Sequence, residues 1–248
     1  MYKKHLTLIC LLFFVLSLAC TLSQKKPLQG GIQIILEADV PDTQEVTDTE
    51  MNMTRTIVEN RVNGLGLTEA AVVRDGDRRI VVNLPAGTDP EQVKSTVKPA
   101  LLEFVDMSSI TQEQAIAYKD AGTIIVTDLF SMGVISPTQQ VWHTVMTGAE
   151  FKVAVVSMQT GKYEVSFELT NEGTKIFADF TAQHIGDVLA IVLDRKIISA
   201  PIINSTIPDG KGLISGNFTR DSANLLAIQL RYGALPIPLR VVEVKTIP

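Results

Sequence analysis

The sequence predicts an α+β fold, and three observations carry that prediction. Segments in which apolar and polar residues alternate are typical of half-buried strands. Segments with apolar residues three and four positions apart are typical of helices, and glycine and proline separate the two kinds. The 248 residues are 46% hydrophobic and 20% charged, which is typical of a globular protein and excludes a disordered or collagen-like chain.

The charge and the cysteine content narrow the range of functions. A formal net charge of −5 makes nucleic acid an unfavourable partner, so none is expected. Both cysteines, Cys10 and Cys20, lie in an apolar N-terminal stretch. The remainder of the chain therefore has no thiol for a disulfide, a zinc site or a cysteine nucleophile.

The N-terminal stretch predicts export. Lys3 and Lys4 precede an uncharged segment over residues 6–22, and polar residues follow at 23–27. This order is typical of a signal peptide or a membrane anchor, which we assign to residues 1–19. As a helix, the apolar segment would be about 25 Å long, which is short of the ~30 Å hydrocarbon core of a bilayer.

The end of this stretch offers a second interpretation. The segment Leu16-Ser17-Leu18-Ala19-Cys20 resembles the lipobox of bacterial lipoproteins, although leucine is expected at the position of Ser17. Cleavage there would leave Cys20 as the lipid attachment site and residues 20–29 as a tether. A lipoprotein, an uncleaved anchor helix and a secreted domain all place the rest of the chain outside the cytoplasm.

Residues 30–107 carry six elements in succession. Alternating apolar positions predict a strand over residues 32–40, and a helical pattern over residues 44–63 ends at Gly64. The elements that follow are a hairpin with strands at 70–74 and 79–84, a helix at 90–97 and a strand at 101–107. The order βαββαβ predicts a ferredoxin-like unit that residues 101–107 close.

A second α+β unit follows. Residues 108–147 are weakly patterned, apart from a capping box at Thr111 and Gln114, and are predicted to be a connection. The predicted elements beyond it are strands at 163–169, 188–193, 197–203 and 212–215, helices at 171–184 and from the cap Thr219 to Gly233, and a last strand at 239–247.

Several motifs occur in a fixed order along the chain. They are Leu28-Gln29-Gly30-Gly31, Arg61-Val62-Asn63-Gly64-Leu65-Gly66, Leu102-Glu103-Phe104, Ser199-Ala200-Pro201 and Leu230-Arg231-Tyr232-Gly233-Ala234-Leu235-Pro236-Ile237-Pro238-Leu239. In this order they resemble the SecD family of bacterial protein-export subunits, and specifically its first large extracytoplasmic domain.

The resemblance implies a domain organisation. Residues 30–107 would form a base subdomain, and residues 233–248 would return to it as its last strand. Residues 108–147 would lead into a head subdomain at 148–232, inserted into the base. The family continues into membrane helices whose carboxylates conduct protons, whereas this chain stops at Pro248, so we expect no proton-driven motor in it.

One turn departs from the family pattern. The family has Leu-Asp-Gly where this chain has Leu193-Asp194-Arg195-Lys196. Glycine adopts left-handed backbone angles without steric strain, whereas arginine does not. We therefore expect a type I turn with a bulge here in place of a type I′ turn.

Catalytic and metal sites are not indicated. A hydrolytic triad would require a histidine, an acid and a serine, and the candidates are His184, Asp187 and Ser199. His184, however, lies at a predicted helix end, where a cation is favoured by the terminal carbonyl groups. The acidic residues Glu45, Asp48 and Glu50 are explained by a solvated helix face. We expect no catalytic activity, no cofactor and no bound metal.

Two sets of residues are candidates for function. Ile197, Ile198, Ile202 and Ile203 surround Pro201 and could contact an unfolded polypeptide, although a place in the core is the alternative. The second set, Gly233, Pro236 and Pro238, lies where the chain would leave the head and could form a hinge, although the prolines could simply stop the helix.

These observations favour a binding module over an enzyme. We expect a domain anchored at the extracytoplasmic face of the bacterial membrane, by lipid or by an N-terminal helix, that binds exported polypeptide passively. The alternative is a structural or regulatory partner that docks on separately encoded membrane subunits of the Sec translocon. An enzyme on an α+β scaffold is the remaining alternative.

Overall fold

The computed structural model describes residues 30–130 and 140–247. In these ranges, five α-helices and eleven strands in three sheets are present. The helices are α1 (Asp48–Gly64), α2 (Pro90–Thr96), α3 (Gln112–Asp120), α4 (Asn171–Gln183) and α5 (Arg220–Tyr232). The strands are β1 (Gly31–Ala38), β2 (Ala71–Asp75), β3 (Arg79–Leu84), β4 (Leu102–Asp106), β5 (His143–Thr147), β6 (Phe151–Gln159), β7 (Lys162–Leu169), β8 (Leu189–Leu193), β9 (Lys196–Ser199), β10 (Lys211–Phe218) and β11 (Leu239–Ile247).

The predicted signal or anchor over residues 1–19, the tether and Cys20 lie outside the described residues. Within the described ranges, no helix combines the length and the apolar character that a membrane crossing requires.

The first sheet has the ferredoxin-like order β11-β1-β3-β2, with every neighbouring pair antiparallel. Helix α1 begins with a capping box in which Thr47 and Glu50 satisfy each other's backbone N–H groups. Its residues Met51, Val58 and Val62 are fully buried in the core of this sheet. We call this sheet, together with α1 and α2, the base.

The prediction that residues 101–107 close the base sheet is wrong. Strand β4 pairs with β5 and β8 in another sheet, and β11 takes the closing position beside β1. The pattern of β4 identifies a strand but not its partner. Its side chains are buried on both faces, with Phe104 in one core and Val105 in another, as expected of a central strand.

The remaining two sheets form the head, together with α3, α4 and α5. Their strand orders are β5-β4-β8-β9 and β10-β7-β6. A shared core joins them and contains an aromatic cluster of Phe104, Phe151, Phe167 and Phe177, in which contacting ring centroids lie 5.0–6.4 Å apart. The opposite face of the first of these sheets packs against α3 through a smaller core that includes Trp142.

The predicted connection contains more structure than its pattern indicates. Strand β5 lies in this segment and pairs with β4. The buried carboxylate of Glu103 on β4 accepts hydrogen bonds from the hydroxyls of Thr127 and Thr144, both at 2.7 Å, and so ties the segment to the sheet. These contacts join residues that are far apart in the sequence, so local periodicity does not reveal them.

The turn between β8 and β9 also differs from the prediction. Asp194 and Arg195 have φ angles of +48° and +67°, and Leu193 pairs directly with Lys196, which is the geometry of a two-residue type I′ turn. The amide and the carboxylate of Asp194 both bond to the backbone of Leu101, each at 2.9 Å. The Arg195 carbonyl accepts from the Ile125 amide at 2.9 Å. These bonds stabilise left-handed angles that non-glycine residues disfavour.

Candidate functional site

The four isoleucines around Pro201 have different environments. Ile197 and Ile203 are each 5% exposed and belong to two separate cores. Ile198 is partly buried, and Ile202 is 37% exposed. Burial therefore leaves Ile202, and in part Ile198, as the members that another molecule could reach without opening the head.

Ile202 lines an apolar cavity of about 260 Å³. The cavity is lined by residues of the segment 201–207 and by Gly212 and Leu213 of β10. Its deep wall is formed by Phe104, Phe167 and Phe177 of the aromatic cluster. The cavity thus opens from the head surface onto the main head core.

Ile202 also lines a second cavity, of about 450 Å³. It is bounded by α3, through Gln112, Ile116 and Lys119, and by Ser215 of β10. The side chain of Gln112 donates to the carbonyl oxygen of Ala200 at 3.0 Å and holds the segment 199–204 against α3. Ile202, together with Pro201 and Asn204, therefore lines both cavities.

The backbone beside these cavities belongs to sheet edges. Within the described residues, β9 and β10 are each the last strand of their sheet. The Pro201 carbonyl accepts from the Leu189 amide, and the Ile203 amide donates to the Asp187 carbonyl. The backbone N–H and C=O groups of Ile202, between these two residues, therefore point away from the strand that contains Leu189. We call the surface formed by Ile116, Pro201, Ile202, Asn204, Leu213 and Ser215 the Ile202 groove.

The Ile202 groove combines apolar side chains with a strand edge. Ile116 and Leu213 are 42% and 43% exposed, similar to Ile202. An edge strand offers main-chain hydrogen bonds to an extended peptide, and an adjoining cavity accepts side chains of varied shape. This combination is suited to binding peptides without strict sequence preference.

The predicted hinge residues lie in an extended segment fixed to the base. Gly233 ends α5, and the following residues alternate between buried Leu235 and Ile237 and the more exposed Pro236 and Pro238. The Leu235 amide donates to the Pro99 carbonyl at 3.2 Å, and the Pro238 carbonyl accepts from the Asp39 amide at 2.8 Å. Whether this segment acts as a hinge remains a prediction.

Arg61 is the main feature that sequence reasoning missed. It lies in the last turn of α1 with no exposed surface, and its guanidinium donates to the backbone carbonyls of Thr96, Lys98, Pro99 and Gly233. Burial lowers the pKa of Arg61 to about 10, and the charge of Asp194 partly opposes this effect. The signal available in the sequence is the spacing of Arg61, which follows Val58 by three residues and Thr54 by seven and so lies on the same face of the helix.

His184 has the contacts of a residue at a helix end. Its ring stacks on Phe180 with centroids 4.0 Å apart, and Nδ1 lies 2.9 Å from the Phe180 carbonyl oxygen. In the part of the chain that the structure describes, no group of three or more His, Cys, Asp or Glu residues is placed to hold a metal ion.

Comparisons with known proteins decide the family. A family model described as the SecDF P1 head subdomain matches residues 128–237, and one described as the N-terminal part of the SecDF P1 domain matches residues 51–109. A solved structure of SecDF, described as a membrane component that enhances protein export, is 32% identical with a TM-score of 0.66. The match covers 87% of this chain and 100% of that one. The chain belongs to the SecD family.

Other SecD relatives agree with this assignment. The SecD subunit of Dictyoglomus turgidum is 36% identical over 89% of this chain and 47% of its own length. A crystal structure of SecDF in the super-membrane-facing form has a TM-score of 0.70 at 31% identity and covers 98% of this chain and 35% of that one. The chain thus spans about half the length of the curated SecD relatives that it matches. Arg61 and Gly233 fall in different matched segments.

Proposed function

We propose that this SecD-family chain assists protein export by binding polypeptide passively at the extracytoplasmic face of the bacterial membrane. The family assignment supports a function in export, because the relatives are protein translocase subunits. The observation that carries the binding proposal is the Ile202 groove, in which a strand edge adjoins an apolar cavity on the head.

The proposed ligand is an unfolded, extended segment. Such a segment carries unpaired main-chain groups and apolar side chains in no fixed order, so a receptor must bind both without reading one sequence. The edge of β10 would bond to the main chain, and the cavity beneath Ile202 would accept an apolar side chain. No covalent step is involved.

An anchor would make weak binding effective. We propose that residues 1–19 or a lipid on Cys20 hold the domain at the membrane, with residues 20–29 as a tether that reaches at most ~30 Å. Within that distance an emerging chain would be present at high effective concentration. Each binding event would oppose backward movement of the exported chain.

Site-specific photo-crosslinking tests the proposal. A photoreactive amino acid at Ile202 or at Leu213 should give adducts with exported polypeptides in cells that are secreting protein. The matched control is Val73, which is also an exposed apolar residue on an edge strand but lies on β2 of the base. Adducts of equal yield at all three positions would contradict a specific site.

A substitution series provides an independent test. Ile202→Asp and Leu213→Asp place a charge where the proposed ligand is apolar, and both positions are exposed enough to leave the head folded. We expect at least a tenfold loss of affinity for an unfolded, apolar model polypeptide, with Val73→Asp unchanged. Undiminished affinity in both groove variants would argue against the groove.

A second candidate function is docking on membrane subunits of the translocase. The observation in its favour is β11, an edge strand of the base sheet that exposes Val241, Val242 and Val244 on its two faces. Photo-crosslinkers at Val242 that give adducts with membrane translocation proteins, while Ile202 gives none with exported chains, would favour this candidate over capture.

A further inference from the structure

The base and the head are joined by two chain segments that meet at one side chain. Residues 97–101 lead from α2 to β4, and residues 233–238 lead from α5 back to β11. Nη1 of Arg61 donates to Thr96 at 2.9 Å and to Lys98 at 2.7 Å. Nη2 donates to Pro99 at 3.3 Å and also to Gly233. Both connections therefore bond to the same guanidinium.

This guanidinium is a buried cation whose hydrogen bonds go to backbone carbonyls. With a pKa of about 10, it stays protonated at neutral pH. Its Nε already lacks a partner among the described residues. Moving the Gly233 carbonyl away would leave a second donor of a buried charge unpaired, which is strongly unfavourable.

Space for movement lies next to this contact. A cleft of about 640 Å³ lies between the base and the head, beside a direct contact in which the Gln229 side chain of α5 donates to the Ser95 carbonyl of α2 at 3.3 Å. The base lines it with Gly64 and Leu65 at the end of α1 and with Ser95 of α2, and the head lines it with β6 and with residues of α5 such as Ile228. Arg61 lies one turn before Gly64, and Gly233 lies two residues after Arg231, which also lines the cleft, so their contact lies near it.

We propose that Arg61 is a latch that holds the head in its observed orientation on the base. The hydrogen bond from Nη2 of Arg61 to the Gly233 carbonyl has to break before the head can turn about the two connections. The three other bonds of the guanidinium are kept when this happens, because Thr96 ends α2 and Lys98 and Pro99 are in the half of the first connection next to α2. This inference goes beyond the proposed function, since it holds whatever the head binds.

The latch can be tested at the acceptor, Gly233, as well as at the donor, Arg61. Its φ of +74° and ψ of −179° fall in a region that essentially only glycine adopts. An added Cβ would meet no atom within 4 Å, so Gly233→Ala introduces strain without a clash. Relief of that strain rotates the peptide and withdraws its carbonyl from Arg61, which itself stays in place.

The experiment measures the distance between base and head by spin labelling of the full chain. Cys10→Ser and Cys20→Ser remove the only two cysteines. New cysteines at Asp77 in the β2–β3 turn and at Gln159 at the end of β6 then carry the labels, since both positions are exposed. The variants are Arg61→Lys, whose single ammonium cannot bridge four carbonyls, and Gly233→Ala. The control is Gly122→Ala at the end of α3, where φ is also positive, at +65°, and an added Cβ would likewise meet no atom within 4 Å.

We expect one narrow distance in the parent and in Gly122→Ala, and a second or clearly broadened distance in Arg61→Lys and in Gly233→Ala. If Arg61→Lys fails to fold, Gly233→Ala alone decides the outcome. A single distance in Gly233→Ala, identical to that of the parent, would overturn the proposal. It would show that Arg61 stabilises the base without setting the position of the head.

Discussion

Thr54 and Ile237 are 183 residues apart and are joined by a buried hydrogen bond, in which the Ile237 amide donates to Oγ1 of Thr54 at 3.3 Å. Thr54 lies on α1, and Ile237 lies just before β11. Neither side chain is exposed beyond 2%. This bond positions the return of the chain to the base, two residues before β11 begins to pair with β1.

Thr54→Val should therefore destabilise the protein. Valine has nearly the same shape as threonine but cannot accept a hydrogen bond, so the buried Ile237 amide loses its partner. We expect a loss of about 1–3 kcal/mol in the free energy of unfolding, measured by urea denaturation of the full chain. Thr56→Val is the control, since Thr56 is exposed on the same helix and should change stability by less than about 0.5 kcal/mol. Equal effects of the two substitutions would contradict the importance of the bond.

The carboxylate of Glu37 links three strands of the base sheet and predicts a pH dependence. Hydrogen bonds from Arg79 on β3 and Arg240 on β11 hold the pKa of Glu37 below its ordinary value. A lowered folded pKa gives a stabilisation that is complete above the unfolded pKa. It is lost as the pH falls through the folded pKa.

The advantage of Glu37 over Glu37→Gln in unfolding free energy should thus be larger at about pH 6 than at about pH 3. Urea denaturation at both pH values measures it, and NMR titration of the Glu37 carboxyl gives the pKa directly. Glu69→Gln, at an exposed position after α1, is the control. An advantage that stays constant down to about pH 3 would contradict the prediction.

Phe177 belongs to the aromatic cluster in the head, where it contacts Phe104 and Phe167. Its ring centroid is 5.5 Å from that of Phe104 in an edge-to-face arrangement, and its side chain is buried. Phe177→Ala should reduce the free energy of unfolding by about 3–5 kcal/mol through lost contacts and a cavity. Phe180→Ala, three residues on and only partly buried, should reduce it by less than about 2 kcal/mol. Calorimetry would separate the two, and similar losses would speak against the cluster as the centre of the core.

Gly31 allows β1 and β3 to approach closely. A Cβ on Gly31 would lie 2.2 Å from the carbonyl oxygen of Leu84, which belongs to the backbone and cannot rotate away. Gly31→Ala should reduce the free energy of unfolding by at least about 2 kcal/mol. Gly148→Ala, whose Cβ would make only an ordinary 3.5 Å contact with Leu102, should change it by less than about 0.5 kcal/mol in the same denaturation assay. A neutral Gly31→Ala would show that the strands can separate at little cost.

Local sequence patterns were sufficient for much of the fold. The alternation in β1 and the helical periodicity of α1 predicted the ferredoxin-like start correctly, because each depends on neighbouring residues, although the predicted start of the helix at residue 44 missed the cap at Thr47. The partner of β4 could not be predicted in this way. Four successive buried positions, from Leu102 to Val105, give no alternation that would assign one face to the base.

The candidate sites also depend on tertiary contacts that local sequence patterns do not reveal. Ile202 and Ile203 are adjacent and equally apolar, and only their register against Asp187 and Leu189 decides which one is buried. Arg61 bonds to backbone carbonyls, which every residue carries, so its partners leave no mark in the sequence. The type I′ turn at Asp194 and Arg195 likewise depends on tertiary bonds to Leu101 and Ile125.

The bond from the Leu235 amide to the Pro99 carbonyl brings the entry and the exit of the head side by side. A linker of a few residues is therefore long enough to join the base across this point, and an equally short one closes the chain of the head on itself. For protein engineering, the head is therefore an insertion that can be deleted from the base or replaced by another domain.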